Sequence, residues 1–80
     1  MTRVEKEKSE ILIDEAFINY KCSQTEWEIY EAFNKEGNSI EAEFHLRRFQ
    51  DKRSFAEGIY QALAVLGFKC PKMKEFSKLL

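Results

Sequence analysis

Apolar residues recur along this chain at three- and four-residue intervals, the spacing that gathers them on one side of an α-helix. Over residues 4–21 the pattern sets Leu12, Ile13, Ala16, Phe17 and Tyr20 on one face. Residues 1–9 carry mostly charge and no apolar stripe, so fraying is expected there. Ser23, Gln24, Thr25 and Glu26 match a capping box, in which a hydroxyl and a carboxylate satisfy two of the unpaired donors that begin a helix. A second helix is therefore predicted over 25–35. Trp27, Tyr30 and Phe33 form its buried stripe, and Gly37 closes it in the left-handed conformation that glycine adopts freely.

Residues 40–47 break the rhythm and alternate strictly. Ile40, Ala42, Phe44 and Leu46 fall on one side, and Glu41, Glu43, His45 and Arg47 on the other. Period two is the mark of a half-buried strand. The residue types argue for a helix instead: Glu, Ala, Leu and Arg favour it, Asn38 is placed to cap it, and Arg47 and Arg48 suit its C-terminal end. Both readings stand on the sequence alone. As a strand, the segment needs a partner within the chain or across a dimer to satisfy its backbone.

Further on, Ser54, Phe55, Ala56 and Glu57 form a second apparent capping box, opening a helix that Gly67 ends. Phe55, Ile59, Leu63 and Leu66 make its stripe, widened by Tyr60, Ala64 and Val65. A helix this apolar belongs to the core or to an interface. Pro71 suits the first position of a last helix, where Met73, Phe76, Leu79 and Leu80 oppose Lys72, Lys74 and Lys78. The fold expected is thus mostly all-α, a compact bundle of about four to five short helices. The alternative is α+β with one short strand at 40–47.

Eighty residues supply one small domain with a thin core. With 44% hydrophobic residues and 11 aromatics the chain has what folding requires, unlike a disordered one. No run approaches the roughly 18 apolar residues of a membrane span, and the charged first ten residues lack the apolar region of a secretory signal, so a cytoplasmic location is expected. Cys22 and Cys70 have no motif spacing and read as free thiols.

Charge changes the picture more than composition does. Residues 1–43 hold five Lys/Arg against eleven Asp/Glu, net −6, and residues 44–80 hold eight against three, net +5. Such asymmetry bears on association and steering. Candidate chemistry is sparse: one histidine, no glycine-rich phosphate loop, no metal-ligand spacing, and no nucleophile with a base and an orienting group. No enzyme activity, cofactor, metal or small-molecule substrate is expected.

The expectation is a small interaction or regulatory protein that associates with another protein or with itself as a homodimer. Trp27, Tyr30, Phe33, Phe55, Ile59, Leu63 and Leu66 are its candidate core or interface residues, and Arg47, Arg48, Lys52, Arg53, Phe76 and Leu79 its candidate partner-binding residues. The alternative is a nucleic-acid-binding regulator using the basic cluster at 45–53, where Arg47, Arg48, Lys52 and Arg53 would neutralise phosphates around Phe49. Under the strand reading, Glu41, Glu43, His45 and Arg47 would face the groove as in β-ribbon DNA readers.

Overall fold

Three helices account for nearly all of residues 1–80 in the computed structural model: α1 (Arg3–Lys35), α2 (Ser39–Val65) and α3 (Pro71–Leu79). The chain is all-α, with fewer and longer helices than the four to five expected. Neither apparent capping box starts a helix. In α1 the Ser23 hydroxyl donates to the Tyr20 carbonyl at 2.5 Å, a bond open to any serine inside a helix, while Glu26 reaches across to α2. In α2 Glu57 accepts from Arg53 at 3.1 Å, four residues back. With no glycine or proline between residues 4 and 36, nothing interrupts α1.

Residues 40–47 are helical, which corrects the strand alternative. Gly37 (φ 76°) turns the chain, and the Asn38 N–H donates to the Phe33 carbonyl at 3.0 Å, closing α1 in a Schellman motif. The Asn38 side chain then accepts from the Glu41 N–H at 3.3 Å and caps α2. Winding a period-two pattern into a helix sends half its apolar residues outward. Ala42 is buried against α1, whereas Ile40 and Phe44 are 81% and 54% exposed.

α1 and α2 form an antiparallel hairpin. The inward residues Ser9, Ile13, Ala16, Tyr20 and Ser23 of α1 keep the three–four spacing of coiled-coil packing, and Ala42, Ala56 and Leu63 of α2 fall at multiples of seven on one line facing them. A second Schellman turn follows α2: Gly67 has φ 79°, and the Phe68 N–H donates to the Leu63 carbonyl at 3.0 Å. It directs the chain back so that α3, with Pro71 at its first turn, lies on one flank of the hairpin near its open end.

The core forms there. Phe76 is fully buried, edge-on to Phe17 (5.2 Å between centroids) and Tyr20 (5.6 Å) and tilted on Tyr60 (5.4 Å). Lys72 pairs with Asp14 beside it, and the Tyr20 hydroxyl donates to the Leu79 carbonyl at 3.3 Å. The shape is elongated, 51 × 18 × 16 Å, with a radius of gyration of 15.2 Å, where a compact chain of this length would have about 12 Å. No helix is long and apolar enough to cross a membrane.

Candidate interaction surface

Beyond the reach of α3 the hairpin is two helices thick, and its interior there is polar and aromatic. Glu26 lies on α1, thirteen residues beyond the core's Ile13, and is buried to 8% exposure. Its Oε2 takes a hydrogen bond from His45 Nδ1 at 2.5 Å and its Oε1 one from Arg48 Nε at 2.8 Å. Phe33 stacks on the imidazole (5.6 Å, 12° between planes) and Phe44 meets it edge-on. Burial by itself would raise the Glu26 pKa. The hydrogen bonds from His45 and Arg48 and the Arg48 charge outweigh it and hold the carboxyl below its ordinary value. These two bonds tie α1 to α2 at this level of the hairpin and satisfy a carboxylate that burial would otherwise penalise.

The basic cluster expected to meet a partner is largely turned on its own chain. Arg47 pairs with Glu43 at 2.9 Å, Arg48 with Glu26, and Arg53 with Glu57. The Arg53 guanidinium also sits over the rings of Tyr20 (5.4 Å) and Phe49 (5.9 Å), and that of Arg48 over Phe44 (5.6 Å). Lys52 is half-buried. Phe76, read from the sequence as a partner contact, belongs to the core, because α3 turns its apolar face onto the hairpin; Leu79 is 42% exposed at the end of that face.

The residues assigned to core or interface divide in the same way. Leu63 is buried, and Tyr30, Phe33 and Ile59 are half-buried. Trp27 is 40% exposed, against Tyr30 (5.1 Å) and Phe49 (5.0 Å). Phe55 and Leu66 are 50% and 68% exposed and lie outside the core.

Their exposure has a geometric order. In α1, Leu12, Asn19, Glu26 and Phe33 follow one another at seven-residue intervals and so share one flank. In α2, Arg48, Phe55 and Ala62 do the same, with Phe44 and Leu66 one turn beyond at either end. The Glu26–Arg48 pair joins these two lines across the hairpin. Asp14, Phe17 and Tyr60, which touch α3, lie on the other side of their helices, so α3 covers one flank and leaves this one bare. Leu12 (41%), Phe44 (54%), Phe55 (50%) and Leu66 (68%) stand on it exposed, with Gly58 and Ala62 providing a low-relief stretch where an added Cβ at Gly58 meets nothing within 4 Å. Leu12 and Phe44 carried no interface expectation. The seven-residue repeat that relates Leu12 to Glu26 becomes visible as a flank only once the hairpin pairing is known. A thinner apolar line, Val4, Ile11 and Ile18, runs along the back of α1 alone.

Elsewhere the chemistry is plain. No group of three or more His, Cys, Asp or Glu side chains is placed to hold a metal. Cys70 lies in an open groove of about 730 Å³ with Tyr60, Phe68 and Met73 and close to Ile13, whereas His45 is bound to Glu26, thirteen residues or roughly 20 Å further along α1 at the helical rise. Charge is distributed along the long axis: residues 28–43 at the turn hold five acids and one lysine, while residues 69–78 at the far end hold four lysines and one acid. No protein family model matches the sequence, and no curated protein or solved structure is significantly similar to it.

Proposed function

We propose that this chain is a non-enzymatic association module, a helical hairpin that docks to a protein surface through its bare flank. The observation that carries the reading is the one-sidedness of the hairpin: α3 shields one flank, and the opposite one leaves Leu12, Phe44, Phe55 and Leu66 exposed. Thirteen large hydrophobic side chains are exposed in all, against nine hydrophobic residues buried. Scattered singly these would need no explanation, but a shared flank of two helices is the form that helix-to-helix docking takes.

Area supports the same reading. The accessible surface is 5812 Å², where a compact monomer of 9.5 kDa would show about 5,000 Å². The excess, about 800 Å², is close to what one partner contributes to a standard protein interface. The nucleic-acid alternative draws less support, because three of the four cations it relies on already have carboxylate partners and the chain's net charge is −1.

A photo-reactive phenylalanine analogue introduced at position 55, with exposed position 64 on the α3 side of α2 as control, half a turn away at 100° per residue, tests the proposal in cells. A discrete heavier adduct from position 55 and none from 64 is the expected result. No adduct from either would overturn it.

A further inference from the structure

Granting that association reading, we infer that the occupant of the bare flank is a second copy of this chain, packed antiparallel about a two-fold axis into a four-helix bundle. A symmetric interface must be self-complementary: whatever pattern one copy presents, a half-turn has to return it onto itself. The flank of α2 has that property. Phe44 and Leu66 lie eleven residues before and after Phe55, three helical turns in each direction. A half-turn about Phe55 therefore brings Phe44 of each copy level with Leu66 of the other, and sets the two Phe55 rings together at the centre.

The distribution of charge along the long axis favours the same sense. The turn end has net charge −4 over residues 28–43 and the α3 end +3 over residues 69–78. Antiparallel packing aligns the acidic end of each copy with the basic end of the other along the bundle axis, while parallel packing aligns like with like; the α3 lysines stand on the far flank, so this charge orients the encounter through the long-range field and makes no contact in the interface. Gly58 and Ala62, beside the centre, let the facing helix approach closely. The low-relief stretch and the pair of rings give the bundle its register. Two hairpins joined in this way satisfy the layer rule that a two-helix sheet of side chains leaves open.

The native chain can be tested directly. Light scattering after size-exclusion should give twice the 9.5 kDa chain mass, and Phe55→Glu should return a single chain with unchanged helix content. Amine cross-linking of the dimer fraction, read by mass spectrometry, should join Lys35 at the turn to Lys8 or Lys69 at the other end. Those lysines are separated by roughly 40 Å within one hairpin at 1.5 Å per residue, so a short cross-linker joins them only between copies. Links from Lys35 to Lys35 would show a parallel dimer and overturn the inference, as would a monomer at all concentrations. In either event an adduct at position 55 in cells would leave the association reading standing with a different partner or sense, whereas absence of that adduct removes both.

Discussion

The two ends of the hairpin solve the same packing problem with different chemistry. At the α3 end three helices surround Ile13, Ala16, Leu63, Phe68 and Phe76, and the interior is apolar. At the turn end only two helices meet, water reaches both flanks, and the contact is built from Glu26, His45, Arg48 and the rings of Phe33, Phe44 and Trp27. Two helices cannot enclose a dry core, so directional bonds do there what area does at the other end. The comparison also sets the two flanks apart, since only one carries a third helix.

The sharpest way to break the comparison is Phe76→Ala. It removes the ring on which Phe17, Tyr20 and Tyr60 converge and should cost about 3–5 kcal/mol, a large fraction of the stability of an 80-residue domain. Thermal unfolding should lose cooperativity or shift far down, and a change of only a degree or two would mean α3 contributes little.

At the turn end, Glu26→Gln keeps the shape and removes the charge that both His45 and Arg48 address. The expected loss is about 1–3 kcal/mol. Because the Glu26 pKa is lowered on folding, its contribution is fully present above the ordinary value of 4.5 and is lost as pH falls below it through the folded value. Acid titration of stability should therefore be flatter below pH 4.5 in E26Q than in the parent, and identical slopes would place the acid sensitivity elsewhere.

The class of the fold and its punctuation were legible in the sequence: Gly37, Gly67, Asn38 and Pro71 all act as their residue types suggest. The continuity of the helices was not. Ser23 and Ser54 have the composition of caps, but a cap is defined by the backbone before it, and a serine in mid-helix can satisfy its hydroxyl on the preceding turn. Period two at 40–47 pointed to a strand; tertiary pairing with α1 decided for a helix and left Ile40 and Phe44 outside. Arg47, Arg48 and Arg53 looked like an open basic patch because their partners, Glu43, Glu26 and Glu57, are apparent only with helical spacing and hairpin register in hand. The bare flank was hidden for the same reason, Leu12 and Phe55 being distant in sequence and joined by geometry.

Smaller effects sharpen the picture at the turn. Gly37→Ala forces a Cβ into the left-handed region without a steric clash, since nothing lies within 4 Å of that position, and should cost about 1 kcal/mol in chemical denaturation. Arg47→Ala removes an ion pair whose side chains are 74% and 65% exposed and should change stability by less than about 0.5 kcal/mol. A larger loss would show that the outer face of α2 is engaged in solution.

The central claim, that the flank opposite α3 is an interface, is tested most directly by sedimentation equilibrium of the parent and Phe55→Glu at matched concentrations, with circular dichroism on both. The account predicts an assembled parent, a single-chain variant and superimposable helical spectra. An assembled variant with the same mass as the parent would contradict it.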